Sequence, residues 1–149
     1  MVYHEEHMDL FKVPEDYYLA HCISADFGMG KGIVVEFNKR FNTKNNLMSR
    51  FPDYLNTFRS FGTHEHGDCI LDGRILNLIT KMNYWQKPTN RSMFNALVHM
   101  REVCLRCGIT KIAMPTIGCG LDGLKWNEVR ELITSVFNDT QIEIMVCIK

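Results

Sequence analysis

The chain has 149 residues, which suits one domain over residues 1–149 with a substantial hydrophobic core. Its 17 basic and 17 acidic residues give a formal net charge of zero, which argues against general electrostatic attraction to nucleic acid. No apolar run approaches the ~20 residues that span a membrane, and the N-terminal residues lack the pattern of a signal peptide. We therefore expect a monomer in the cytoplasm or nucleus, with neither nucleic-acid nor membrane partners.

The N-terminal region predicts two strands and a glycine-rich loop. A short strand begins within residues 1–12, and Asp9 falls near its end. After a turn at 14–16, a continuous apolar run over 17–24 indicates a strand that is buried on both faces. Residues 27–33 then contain three glycines ahead of a helical pattern. This order predicts a strand, a loop and a helix.

The middle of the chain predicts an amphipathic helix and a β-hairpin. Apolar residues between Ile33 and Phe41 fall on one helical face. Residues 42–56 predict a loop and a short helix interrupted at its proline, and residues 57–68 predict a loop because they show no clear period. Residues 69–80 predict a hairpin, with Asp72-Gly73 as its two-residue turn.

The C-terminal half continues the alternation of strands and helices. Residues 82–91 predict a loop that covers a cleft, and Ser92 is expected to cap a helix that ends at Cys107. The remaining elements are a strand over 109–114, a second glycine-rich loop, a helix from Trp126 and a closing strand over 141–148. Alternating strands and helices predict a single layered α/β domain whose sheet is largely parallel except for the hairpin.

Six cysteines occur mostly within apolar runs, which indicates buried thiols and no disulfide framework. Cys104 and Cys107 have the spacing of a metal or redox pair, and His64 and His66 are candidate further ligands. Because both cysteines continue the apolar stripe of their helix, we expect core packing and no bound metal.

Each glycine-rich loop follows a strand and precedes a helix, which is the arrangement that holds phosphate groups in α/β proteins. Glycine lets the backbone approach the ligand closely, and the helix N-terminus adds partial positive charge. A single loop of this kind is weak evidence. Two of them indicate a ligand with linked phosphates, or with a phosphate and its ribose, and no cofactor is expected.

With both loops identified, the chain resembles the macrodomain family, and within it the branch of terminal ADP-ribose protein glycohydrolases. The motifs that carry this resemblance extend from about residue 8 to the end of the chain. They are Asp9-Leu-Phe11, Leu19–Ser24, Met29–Ile33, Leu78–Lys81, Lys87–Thr89 and Met114–Asp122, with Trp126 after them. One departure is Gly28, where the family pattern has a basic residue.

The resemblance implies a three-layer α/β/α fold with a mixed, largely parallel central sheet, and it implies roles for individual residues. Lys81 would attack the anomeric carbon of ADP-ribose, Asp122 would supply acid–base help, and Asp9 would accept a hydrogen bond from the adenine amino group. From position alone, Lys81 also fits a solvated strand end and Asp122 the start of a helix. The other implied ADP-ribose-binding residues are Leu10, His21, Ser24, Met29, Gly30, Gly32, Ile33, Thr80, Pro115, Ile117, Gly118, Cys119, Gly120 and Leu121.

The same resemblance implies an enzyme that removes mono-ADP-ribose from glutamate or aspartate side chains, deacylates O-acyl-ADP-ribose, or does both. Two alternatives stay open: an ADP-ribose 1″-phosphate phosphatase, and a module that binds ADP-ribose without turnover. The presence of both Lys81 and Asp122 favours an enzyme, because binding needs only the loops. No paired base is evident for Cys119, so we interpret its thiol as a packing group. The lysine hypothesis requires that Lys81 and Asp122 lie together beside the loops.

Overall fold

The computed structural model describes residues 1–62 and 65–149. It contains six strands, five α-helices and a one-turn 3₁₀ helix over Leu10–Lys12 within these ranges. The elements are β1 (Val2–His7), β2 (Tyr18–Ser24), α1 (Ile33–Phe41), α2 (Thr43–Arg50), α3 (Tyr54–Arg59), β3 (Asp68–Asp72), β4 (Ile75–Lys81), α4 (Asn90–Cys107), β5 (Lys111–Met114), α5 (Trp126–Phe137) and β6 (Glu143–Ile148).

The six strands form one mixed sheet in the order β1-β6-β5-β2-β4-β3. Only β3 runs antiparallel to its neighbour, so the carboxyl ends of the other five strands meet at the same edge. We call this the carboxyl edge. Ligands of open α/β sheets bind outside this edge, which is where both glycine-rich loops leave the sheet.

Helices cover both faces of the sheet, as the alternation along β5 illustrates. Ile112 and Met114 belong to the core under α4 and α5, whereas Ala113 packs with Phe37 of α1 on the opposite face. A third apolar cluster lies under α2 and α3 and includes Ile79. The predicted three-layer architecture is therefore confirmed. None of the helices in the described ranges is long and apolar enough to cross a membrane.

Three local predictions differ from the structure. The hairpin loop is Gly73-Arg74, one residue later than predicted, because Asp72 pairs with Ile75 and Gly73 takes the positive φ of 57°. Helix α4 is capped by the Thr89 side chain, and Ser92 is the reciprocal partner at the third helical position.

The segment over 57–68 is not a continuous loop, since α3 extends to Arg59 and β3 begins at Asp68. Tyr54 and Phe58, four residues apart, pack their rings together on the buried face of α3.

The cysteine pair of α4 does not share one environment. Cys104 is fully buried in the core, as predicted, but Cys107 is exposed, so the prediction of core packing was wrong for Cys107. His64 lies outside the described residues. Within the described ranges, no group of three or more histidine, cysteine, aspartate or glutamate residues is placed to hold a metal ion.

Candidate functional site

Lys81 and Asp122 form an ion pair at the carboxyl edge. Lys81 is the last residue of β4, and Asp122 lies in the loop between β5 and α5. The Nζ atom of Lys81 donates to Oδ1 of Asp122 over 2.7 Å, and the two side chains are only 15% and 18% exposed. The lysine hypothesis requires that Lys81 and Asp122 lie together beside the loops. The structure meets this requirement, since the two side chains are in contact beside the second glycine-rich loop.

The first glycine-rich loop is held by a carboxylate that sequence reasoning missed. Oδ1 of Asp26 accepts hydrogen bonds from the Ser24 hydroxyl (2.5 Å) and the Gly28 backbone N–H (3.0 Å). Its Oδ2 accepts from the backbone N–H of Tyr84 (3.0 Å), which lies in the loop after β4. Asp26 thus fixes the shape of the first loop and ties the neighbouring loop to it. The spacing from Asp26 to Gly28 is that of an Asx turn, which is a signal available in the sequence.

The backbone of the first loop is also set by two unusual conformations. Phe27 has a φ of 58°, a left-handed value that non-glycine residues seldom adopt, and its ring is buried against Tyr54. Gly32 has a φ of 79° and immediately precedes α1. No side chain caps this helix, so its first backbone N–H groups are suited to an anion such as phosphate.

The second loop approaches both the first loop and the loop after β4. A Cβ atom placed at Gly32 would lie 3.6 Å from Cδ1 of Leu121, so the two glycine-rich loops come close at this point. The Lys87 side chain donates to the backbone oxygen of Leu121. Within the second loop, Gly118 has a φ of 74°, and its carbonyl accepts from the Leu124 N–H over 2.8 Å. These contacts hold three loops together at one end of the sheet.

A cavity of about 540 Å³ opens at the other end of the carboxyl edge. This volume falls within the range of small-molecule sites. Among the predicted ligand contacts, it is lined by Asp9, Leu10, Ile33 and Pro115. The sequence assigned no ligand contact to the other lining residues, which are Met8, Phe11, Glu36, Arg40, Cys147 and Lys149.

The cavity and the ion pair are separated along the edge. The cavity lies where β1, β6 and β5 end, whereas Lys81 terminates β4. Three strand spacings separate β6 from β4, which is about 14 Å. Both glycine-rich loops lie between, because they follow β2 and β5. A ligand with one end in the cavity and the other at Lys81 must therefore pass over both loops.

Several predicted ligand contacts have buried side chains. His21 is fully buried, its ring stacks on Phe37 at 3.8 Å, and its Nε2 lies 2.6 Å from Oδ1 of Asn77. The His21 side chain is therefore a core group packed against α1, and its contact with ligand stays a prediction. Thr80 is 1% exposed and Ile117 3% exposed, so their side chains also face the interior.

The remaining predicted contacts lie on the loops. The Ser24 side chain is buried and its hydroxyl is engaged with Asp26, and Met29 is also buried. Gly30 and Gly120 are exposed, and Cys119 is partly exposed.

The thiols near the pair are poor nucleophiles. Burial raises the pKa of Cys119, and its Sγ lies 3.4 Å from the carbonyl oxygen of Ile117. Burial, followed by the negative charge of Asp122, raises the pKa of Cys22 far above its ordinary value. Both groups are therefore protonated at neutral pH. Lys81 is the candidate nucleophile that the geometry favours.

Comparisons with known proteins agree with this fold. The chain is 42% identical over 139 residues to human ADP-ribose glycohydrolase OARD1, an alignment covering 93% of this chain and 86% of that protein. The DarG macrodomain of Mycobacterium tuberculosis superposes with a TM-score of 0.75 at 21% identity, covering 98% of this chain and 97% of that one. Thermosipho africanus DarTG in complex with ADP-ribose gives a TM-score of 0.69 at 16% identity, covering 99% of this chain and 42% of that one. No protein-family model matches the chain.

Proposed function

This chain belongs to the macrodomain family of ADP-ribose glycohydrolases and is a hydrolase, and on that premise we propose that it acts on ester-linked ADP-ribose. Its substrates are proteins that carry mono-ADP-ribose on glutamate or aspartate side chains, and O-acyl-ADP-ribose. The observation that carries the proposal is the 2.7 Å contact between Nζ of Lys81 and Oδ1 of Asp122.

The binding mode follows the carboxyl edge. The adenosine end occupies the cavity beside Asp9, and the diphosphate lies over the two glycine-rich loops. The uncapped N-terminus of α1 supports this assignment, because it offers backbone N–H groups and partial positive charge to an anion. The distal ribose then reaches Lys81 and Asp122.

The proposed chemistry begins with a proton transfer inside the ion pair. A lysine attacks only as the neutral amine, and Asp122 is in hydrogen-bond contact to accept its proton. Nζ of Lys81 then forms a bond to the anomeric carbon of the distal ribose. The bond from that carbon to the ester oxygen breaks, and the acceptor leaves as a carboxylate. Water subsequently releases ADP-ribose from the lysine.

The test is hydrolysis of a protein ester-modified with mono-ADP-ribose by the Lys81→Ala variant. We expect release of ADP-ribose to fall at least about a thousandfold, because the nucleophile is lost, while affinity for free ADP-ribose is retained. The matched control is Lys125→Ala, which removes an exposed lysine at the start of α5. The ribose ring of the lysine adduct can open to an imine, so borohydride reduction of the wild-type reaction should leave ADP-ribose attached to Lys81 as a stable amine.

Two outcomes contradict the proposal. Full activity of Lys81→Ala eliminates the lysine mechanism. Release of phosphate from ADP-ribose 1″-phosphate, without action on either ester substrate, assigns a phosphatase activity instead.

A further inference from the structure

The three most exposed large apolar side chains in the described part of the chain all lie within four residues of Lys81 or Asp122 in the sequence. Trp85 is 67% exposed, Tyr84 65% and Leu121 62%. Tyr84 and Trp85 follow Lys81 by three and four residues, and Leu121 immediately precedes Asp122. Exposed apolar groups that occur singly need no explanation, but a cluster of them marks a contact surface.

The turn Asn83–Gln86 carries both aromatic residues, and we call it the aromatic turn. The Gln86 N–H donates to the carbonyl of Asn83 over 3.0 Å, and the Asn83 N–H donates to Oε1 of Gln86 over 2.8 Å. Asp26 holds the Tyr84 N–H, as described above. The backbone of the turn is therefore fixed, while both of its aromatic side chains remain largely exposed. A surface ordered before binding loses little conformational entropy when a partner docks.

The aromatic turn lies close to the ion pair in sequence, because it directly follows the strand that ends at Lys81. In the proposed binding mode, ADP-ribose reaches Lys81 from the cavity over the two glycine-rich loops, which follow β2 and β5. The acceptor is bonded to the anomeric carbon, so it must extend beyond the ion pair in a direction that the ADP-ribose does not fill. The loop that leaves Lys81 carries the exposed side chains of Tyr84 and Trp85 within four residues of it.

We infer that Tyr84 and Trp85 contact the polypeptide that carries the ADP-ribosylated carboxylate, and so determine which acceptors are hydrolysed. This inference rests on the proposed function. Tyrosine and tryptophan contribute large contact areas at protein interfaces and are enriched among the residues that dominate binding energy. A nucleic-acid acceptor is disfavoured because 17 basic residues are matched by 17 acidic ones, whereas general electrostatic binding of a nucleic-acid backbone requires a basic excess or stripe.

The test compares a substrate with a polypeptide and one without. Trp85→Ala and Tyr84→Ala are assayed on a glutamate-ADP-ribosylated peptide and on O-acetyl-ADP-ribose. Both substitutions retain the Cβ atom, and Tyr84→Ala keeps the backbone N–H that donates to Asp26. We expect kcat/KM for the peptide to fall about tenfold for Trp85→Ala, mainly through KM, and turnover of O-acetyl-ADP-ribose to stay within about twofold.

Two further variants sharpen the comparison. Trp85→Phe should recover most of the peptide activity because it restores an aromatic face. Leu105→Ala removes another exposed apolar side chain, 56% exposed, near the C-terminal end of α4, and should affect neither substrate.

The inference is overturned if Trp85→Ala changes both substrates equally or neither. It is also overturned if the variant loses activity on an ADP-ribosylated oligonucleotide but not on the peptide. Failure of the proposed function gives a different result, in which the wild-type protein hydrolyses neither ester.

Discussion

The ion pair at the carboxyl edge makes a quantitative prediction about stability. Asp122→Ala leaves the Lys81 ammonium, whose side chain is only 15% exposed, without its carboxylate partner. At an effective dielectric constant of about 20, two unit charges about 4 Å apart attract by about 4 kcal/mol. Desolvation of both groups offsets much of that attraction. We therefore expect a net coupling energy of about 1–2 kcal/mol.

Asp122→Ala should lower the free energy of unfolding by more than this coupling energy, because it also leaves the largely buried Lys81 charge without a partner. We expect Asp122→Ala to lower the free energy of unfolding by about 2–3 kcal/mol, which corresponds to a Tm lower by about 5–10 °C. Urea unfolding of both single variants and of the double variant Lys81→Ala/Asp122→Ala measures the coupling directly.

A lysine–aspartate pair elsewhere on the molecule supplies the control. Lys111 Nζ lies 2.8 Å from Oδ2 of Asp16, but those side chains are 40% and 59% exposed. Water screens such a pair, so Asp16→Ala should leave Tm nearly unchanged. The reasoning is refuted if Asp122→Ala is no more destabilising than Asp16→Ala, or if the effects of the two single substitutions at the ion pair simply add.

Two other predictions follow from the core and the loops. Asp26→Ala should weaken ADP-ribose binding about tenfold by calorimetry while the fold persists, because the Gly28 and Tyr84 N–H groups lose their acceptor; an unchanged Kd would contradict this. Burial lowers the pKa of His21 to about 4, so the unfolded chain binds a proton below about pH 6.5 that the folded chain does not. The free energy of unfolding is therefore not reduced by His21 above pH 6.5, and it decreases as the pH falls toward 4. Urea unfolding should show that the free energy of unfolding falls by about 2 kcal/mol between pH 7 and pH 5, and that this fall is absent in His21→Leu.

The sequence was sufficient for the architecture and for the proximity of Lys81 to Asp122. Long apolar runs separated by glycine-rich loops are local signals, so they predicted β2, β5 and the helices that follow. Lys81 and Asp122 lie 41 residues apart in sequence, and only the motif order indicated that they would meet.

Local sequence patterns do not predict contacts between distant parts of the chain, so they did not reveal other parts of the structure around the site. Residues 17–24 form an apolar run buried on both faces, so the pattern does not reveal which face His21 occupies. The cavity joins Phe11 to Arg40 and Cys147, three residues from distant parts of the chain that share no motif. The hairpin was misplaced by one residue because Asp-Gly and Gly-Arg both lie between strand-forming runs.

The tight contact between the first glycine-rich loop and the aromatic turn constrains evolution at two positions together. A Cβ atom at Gly28 would lie 2.8 Å from the Cβ of Tyr84, closer than two such atoms can approach. A homologue with a larger residue at position 28 must therefore have shifted the segment that carries residue 84. Positions 28 and 84 should covary across the family. Substitution of Gly28 by a basic residue should preserve the fold only when the segment around position 84 is replaced with it.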